Sequence, residues 1–214
     1  MNADRTGPKP MPRQPFAHAL RRLPRVLPAA LLAVTLTAAA GAFDAAPAVS
    51  EDDVTAYKSG KRFVVDAVMH APVPPALAWA VLTDFEHMTD FVPNLSFSRV
   101  TARQDTLLTV HQKGTGRYGF FSADFESVRE IHLVPLREIR SRGIGGNIRQ
   151  VESLMQLEAE GTGTRLHYHS EAQPGFWLPP LIGPAVARHE TAEQFSAMIR
   201  EMQRRQSSPA ADAR

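Results

Sequence analysis

The sequence predicts an α+β fold in which a curved antiparallel sheet of about seven strands wraps around one long C-terminal helix, with two short helices after the first strand. Three observations support this prediction. Residues 62–70 are apolar at every second position, strand patterns separated by short turns follow one another over 95–172, and apolar residues recur every three or four positions over 180–206. Because short turns join strands that run in opposite directions, the sheet is expected to be antiparallel.

The individual elements follow from local signals. Phe63, Val65, Ala67 and Met69 share one face of the first strand, and the prolines after them end it. Proline then opens the first short helix, and a threonine or aspartate caps the second. Glycine-containing turns separate the later strands. The predicted segments are helices 76–82 and 85–91, strands 95–102, 107–113, 120–133, 137–142, 148–159 and 165–172, and the helix 180–206.

The last two strands indicate which face of the sheet is buried. Val151, Met155 and Leu157 share one face of the first of these strands, and Leu166 and Tyr168 share one face of the next, opposite polar and charged residues. The amphipathic helix can cover this apolar face. A strongly curved sheet that grips a single helix leaves space between the two, so the sequence predicts a ligand cavity there.

Residues 1–42 have the composition of an export signal. A basic, proline-rich stretch precedes an uncharged apolar run that ends in small residues suited to a cleavage site. We expect cleavage after Ala42, with Ala48 as a second candidate position and twin-arginine export through Arg21-Arg22 as an alternative route. The protein is then periplasmic or secreted, and the alternative is an N-terminal membrane anchor.

The remaining chain is expected to form one domain. Residues 43–60 are predicted to be a disordered linker, 61–206 a ligand-binding domain, and 207–214 a disordered tail. Residues 1–42 hold six basic side chains and one acidic one, which leaves 18 basic and 21 acidic side chains after residue 42. A domain with this charge is not built to bind nucleic acid. The chain has no cysteine, which excludes disulfides and cysteine chemistry.

Several short strings, in their order along the chain, resemble the START-like or SRPBCC superfamily, also called polyketide cyclase/dehydrase-like. The most similar subgroup is the coenzyme Q-binding START-domain family. The strings are WAVLTDF at 79–85, FVPNL at 91–95, QKG at 112–114, GFF at 119–121, GN at 146–147, GTRL at 163–166 and FWLPP at 176–180. The resemblance covers about 61–205. It implies a helix-grip fold and an internal cavity for a hydrophobic small molecule or lipid, quinone-like or fatty, without naming the ligand.

Sixteen residues are candidates for the cavity wall, and for each of them ordinary core packing is the alternative. His111 and Arg149 could orient a carbonyl or carboxylate, and Tyr168 brings a hydroxyl that needs a partner when buried. Trp177 lies in an apolar loop that could form a lid, touch a membrane transiently, or simply seat the helix. The candidates are Trp79, Phe85, Phe91, Phe97, His111, Phe121, Phe125, Arg149, Val151, Met155, Tyr168, Trp177, Ile182, Val186, Phe195 and Met198.

The sequence favours no metal site and no cofactor. His167, His169 and Glu171 lie on one face of a strand at a spacing that metal ligands could use, but this is the charged outer face. The chain contains no nucleophile elbow, phosphate-binding loop, dinucleotide fingerprint or zinc-protease motif.

Three classes of function remain after these exclusions. We expect a non-catalytic binding or transfer protein whose partner is a hydrophobic small molecule or lipid. The second class is a cyclase or dehydratase that uses His111, Tyr168 or Arg149 in the same cavity. The third is an interaction module that has filled its cavity with side chains and exposes an apolar patch around Trp177.

Overall fold

A computed structural model describes residues 48–119, 121–175 and 182–208, with all their side chains except those of Phe121 and Arg149. The described chain holds eight strands and two α-helices. Their bounds are β1 Val54–Ser59, β2 Arg62–Ala71, α1 Pro75–Leu82, β3 Leu95–Gln104, β4 Leu107–Tyr118, β5 Phe121–Val134, β6 Glu138–Gly146, β7 Ile148–Glu160, β8 Gly163–Pro174 and α2 Gly183–Ser207.

All eight strands form one curved antiparallel sheet in the order β1-β2-β8-β7-β6-β5-β4-β3. From β3 to β8, each strand pairs with the next one along the chain, as the short turns predicted. β2 pairs with β8, with Phe63 opposite Ala172. The long helix α2 packs against the inner face of this sheet. The predicted fold class is therefore confirmed.

A solid core fills one half of the space between the sheet and α2. Leu108, Ile131 and Leu166 from the sheet and Ile199 and Met202 from α2 are each at most 1% exposed. The helix α1 closes this half of the interior with a buried face of its own. Burial of a side chain of this size contributes about 1.5–3 kcal/mol, so this half carries much of the stability of the fold.

The structure corrects the prediction of a disordered linker over 43–60. Residues 54–59 form β1, which pairs along its full length with β2 and places Val54 opposite Ala67. Val49 and Val54 are buried, at 1% and 3% exposure. Val54 is the only residue of β1 that is fully buried. The strand therefore lacks the apolar alternation that identified the other strands, and the sheet has one strand more than predicted.

Two smaller elements also differ from the prediction. The second short helix, predicted over 85–91, is reduced to a single 3₁₀ turn, Met88–Asp90. The glycines predicted to form a flexible connection after residue 142 continue β6 as far as Gly146. Residues 1–42, the loop that contains Trp177, and 209–214 lie outside the described residues. Among the described residues, no helix combines the length and apolar character that crossing a membrane requires.

A candidate ligand cavity between the sheet and the C-terminal helix

The second half of the interior is not filled. A cavity of about 300 Å³ lies there between the sheet and the N-terminal turns of α2. This volume is at the lower end of the range for small-molecule sites. The wall is mostly apolar, and its apolar and aromatic side chains include Phe63, Leu95, Phe125, Ile148, Val151, Tyr168 and Val186.

Small inward-facing side chains on two of the strands leave room for the cavity. On β8, Leu166 belongs to the core, whereas Ser170 and Ala172 line the cavity. On β5, Ile131 belongs to the core, whereas Ala123 lines the cavity. α2 is divided in the same way, since its first turns face the cavity and its later turns the core. The small side chains on β8 and β5 therefore leave space beside the larger Phe125 and Tyr168 in the wall.

Among the described side chains of the cavity wall, one is positively charged, that of Arg129. The Nε atom of its guanidinium is buried and has no hydrogen-bond partner among the described residues, whereas the residue as a whole is partly buried. Its Nη2 donates a hydrogen bond to the Oε1 atom of Gln112. Burial lowers the pKa of Arg129 from its ordinary value. An arginine nevertheless keeps its proton in proteins, so the cavity wall carries a positive charge.

A chain of hydrogen bonds fixes the orientation of Gln112 and, through it, of Arg129. The Nε2 atom of Gln112 donates to the hydroxyl oxygen of Ser98 over 3.0 Å. That hydroxyl donates in turn to the carbonyl oxygen of Phe85. Because Ser98 gives its proton to a carbonyl, it must accept from the amide NH₂ of Gln112. The amide oxygen of Gln112 is therefore the atom that faces the guanidinium.

An acidic side chain, that of Glu190 on α2, lines the same cavity. Its two carboxylate oxygens accept hydrogen bonds from the backbone N–H of Arg117 and from the side-chain NH₂ of Asn94. Burial raises the pKa of the Glu190 carboxyl above its ordinary value. The cavity thus combines an apolar body with one cation and one carboxyl group whose pKa is raised.

Comparison with protein families identifies the chain. The model of the family "Polyketide cyclase / dehydrase and lipid transport" matches residues 71–199, which is more than half of the sequence. The chain belongs to this family. A comparison with functionally curated proteins found no significant match. The superfamily predicted from the sequence is confirmed, whereas the coenzyme Q-binding subgroup stays a prediction.

Solved structures share the fold of this polyketide cyclase/dehydrase family member at low sequence identity. The Zhui aromatase/cyclase from a Streptomyces species is 16% identical with a TM-score of 0.60, over 70% of this chain and 98% of that one. A START superfamily protein from Mycobacterium smegmatis is 11% identical with a TM-score of 0.58, over 66% and 97%. A STAR-related lipid transfer protein from Xanthomonas axonopodis is 12% identical with a TM-score of 0.56, over 71% and 99%. These likenesses concern the fold.

The candidate residues predicted from the sequence fall into distinct places in the family fold. Those that line the cavity are Phe125, Val151, Tyr168 and Val186. Those that lie in the core or pack against it are Trp79, Phe85, Phe91, Met155, Phe195 and Met198. Ile182 immediately precedes α2. The side chains of Phe121 and Arg149, and the whole of Trp177, lie outside the described part of the chain.

Two further candidates, Phe97 and His111, lie away from the cavity. Their rings meet edge to face with centroids 5.2 Å apart. The Nε2 atom of His111 is 2.7 Å from a carboxylate oxygen of Glu126, which is itself partly exposed. On β4, His111 follows the buried Val110 and precedes the buried Gln112, so it occupies the opposite face of the strand.

Sequence reasoning missed both charged residues of the cavity. Arg129 stands two positions after Ser127 and two before Ile131, so the period-two pattern of β5 already assigns it to the inner face. A charged residue such as Arg129 at an inward-facing strand position indicates a polar site inside the fold. Glu190 had a weaker signal, because it lies beside the apolar stripe of α2 and not within it.

The outer face of the sheet has a larger concavity of about 530 Å³, but several of its charged side chains pair with one another. Arg142 bonds Glu130 over 2.5 Å, and His169 lies 3.8 Å from Glu171. Among the residues that the structure describes, no group of three histidine or acidic side chains is arranged to hold a metal ion. The inner cavity, whose wall is mostly apolar, is therefore the better candidate for a ligand site.

Proposed function

We propose that this member of the polyketide cyclase/dehydrase and lipid transport family is an exported carrier of a hydrophobic small molecule or lipid. The observation that supports the proposal is the half-empty interior, where an apolar cavity of about 300 Å³ adjoins a solid core. The basic and apolar composition of residues 1–42 supports export. An interaction module with a filled interior is disfavoured by the same cavity.

Apolar contact would supply most of the affinity. Moving one methylene group from water into such a cavity contributes about 0.8 kcal/mol. A ligand chain of several methylenes would therefore bind even after the cost of immobilising it is subtracted. The polar groups in the wall need only select and orient the head of the ligand.

A cavity-filling substitution tests the carrier function. Ala172 lines the cavity on β8, and Phe at this position would occupy space that the ligand needs. We expect lipid extracted from the purified Ala172→Phe variant, measured by mass spectrometry, to fall at least about tenfold below that from the wild type. Ala102→Phe, at an exposed position of β3, is the matched control and should carry the wild-type amount. Equal ligand loads in Ala172→Phe and the wild type would contradict the proposal.

Glu190 supports a second candidate function, an enzyme of the cyclase or dehydratase type. A carboxyl group with a raised pKa in an apolar cavity can donate a proton, and Arg129 in the same wall can stabilise negative charge on a reacting oxygen. The same mass measurement separates the two functions. A carrier releases its ligand with unchanged mass, whereas a dehydratase releases a product that is lighter by one water, and Glu190→Gln would abolish that difference.

A further inference from the structure

In the part of the chain that the structure describes, no acidic side chain pairs with Arg129. Within the described residues, the only hydrogen bond of its guanidinium goes to the neutral amide of Gln112, and the buried Nε atom makes none. Buried charges in folded proteins are normally paired, because an isolated charge loses its hydration without compensation. Arginine cannot escape this cost by releasing its proton near neutral pH.

The acid in the same cavity does not fill this role. Glu190 is held by Asn94 and by the backbone of Arg117, and it forms no ion pair with Arg129. The described wall offers the guanidinium the hydroxyl groups of Ser127 and Tyr168, and its acidic group, Glu190, bonds other partners.

We propose that the ligand is an amphiphile with a single carboxylate head and that Arg129 binds this carboxylate. The inference rests on the carrier function proposed above and specifies its ligand class. The guanidinium can donate two parallel hydrogen bonds to a carboxylate, and the Nε–H group, which has no partner among the described residues, would gain one. One cation in the described wall matches one negative charge, and the carboxyl of Glu190 in the same wall disfavours a head with two.

The hydrogen-bond chain behind Arg129 supports a positioning role for its neighbours. Gln112 holds one nitrogen of the guanidinium, and Ser98 holds Gln112. The guanidinium is thus fixed before any ligand arrives, which reduces the entropy lost on binding. Nothing in this arrangement neutralises the charge, so the site is oriented and remains cationic.

Three probes with the same alkyl chain test the inference: decanoate, decanol and decylamine. Their affinities for the delipidated full-length protein are measured by isothermal titration calorimetry near neutral pH. We expect decanoate to bind at least about tenfold more tightly than decanol, because hydrogen bonds to charged groups contribute more than neutral ones. Decylamine should bind more weakly than either, because its cation would lie close to Arg129.

Variants assign the preference to Arg129. In Arg129→Met the advantage of decanoate over decanol should disappear, whereas Arg129→Lys should retain part of it. Arg103→Met removes the same charge from an exposed position of β3 and should bind all three probes as the wild type does. If Arg129→Met does not fold, the affinities of the three probes for the wild type and for Arg129→Lys still test the role of Arg129.

The outcomes separate this inference from the carrier function. Equal binding of decanoate and decanol, or preferred binding of decylamine, would overturn the carboxylate assignment while the carrier function stands. A decanoate preference that survives in Arg129→Met would also overturn the assignment. Failure of all three probes to bind would overturn both proposals.

Discussion

At the scale of single residues, Gly114 shows how closely the chain approaches itself beside the cavity. A Cβ atom on Gly114 would collide with the carbonyl oxygen of Asn94 and would lie 2.7 Å from the ring of Phe125. The collision is with backbone, which cannot move aside as the end of a side chain can. We therefore expect Gly114→Ala to lower the free energy of unfolding by about 3 kcal/mol, measured by urea denaturation.

The matched control for this prediction is Gly145→Ala on β6. A Cβ atom there would meet only Val128, at 3.4 Å, which is close to an ordinary contact distance. The free energy of unfolding should change by less than about 1 kcal/mol. If both variants lost the same stability, the close approach at Gly114 would not be the cause.

Single residues also show what the sequence can and cannot predict about the site. Apolar character alone does not distinguish a cavity wall from a solid core. The sequence therefore made Tyr168 and Phe195 equally good candidates for the cavity wall, although of the two only Tyr168 lines the cavity. The two rings in fact pack against each other with centroids 4.9 Å apart. The distinction depends on the size of the residues opposite, which belong to other strands. Arg129, by contrast, was visible in the period-two pattern of its own strand.

At the scale of elements, ion pairs anchor the C-terminal end of α2. The carboxylate of Glu201 is 2.7 Å from the Nε atoms of both Arg204 and Arg205. Arg205 also bonds Asp84, just beyond the end of α1, over 2.8 Å. Arginines in the last turn additionally complement the negative end of the helix dipole. Glu201 therefore holds Arg205 in the position from which it links the two helices.

This arrangement predicts a dependence of stability on pH. Hydrogen bonds from Arg204 and Arg205 lower the pKa of Glu201 from 4.5 to about 2. Because the folded-state pKa is the lower one, the stabilisation is complete above about 4.5 and is lost as the pH falls toward about 2. We expect Glu201→Gln to reduce the free energy of unfolding by about 1 kcal/mol near neutral pH, measured by chemical denaturation.

The difference in unfolding free energy between the wild type and Glu201→Gln should decrease as the pH falls through this range, because both side chains are then uncharged. Glu193→Gln is the control, since Glu193 is exposed on the same helix. It should unfold as the wild type does near neutral pH. If the loss of unfolding free energy in Glu201→Gln stayed the same as the pH fell to about 2, the effect would come from packing and not from charge.

Elements differ in how far the sequence predicts them, and the reason lies in what each one packs against. α2 buries one stripe against the sheet, so its residues repeat every three or four positions and its existence follows from the pattern. β1 pairs at the edge of the sheet and buries little beyond Val54. It is held by backbone hydrogen bonds to β2, and these require no regular spacing of apolar residues in the sequence. The turn at Met88–Asp90 is three residues long and buries Met88 in the core, which the spacing of nearby apolar residues does not indicate.

At the scale of the whole molecule, residues 48–59 join the edge of the sheet to the closing helix, and we call them the N-terminal strap. Val49 is buried, and its backbone N–H and carbonyl groups both bond the hydroxyl of Ser196 on α2, over 2.9 and 3.1 Å. Glu51 adds a contact of 2.8 Å to His189 on the same helix. The second part of the strap, residues 54–59, is β1, which pairs with β2 and covers its edge. It therefore contributes to keeping the helix on the sheet.

The strap connects the export proposal to stability, because both predicted cleavage positions, after Ala42 and after Ala48, precede Val49. We expect a chain that starts at Phe43 to unfold at the same urea concentration as the full-length protein. A chain that starts at Lys61 should lose about 3–6 kcal/mol, from the burial of two valines, and should aggregate through the exposed edge of β2. Mass spectrometry of the exported protein should find the strap intact. An exported chain that begins after Val49, or full stability in the chain that starts at Lys61, would contradict this role of the strap.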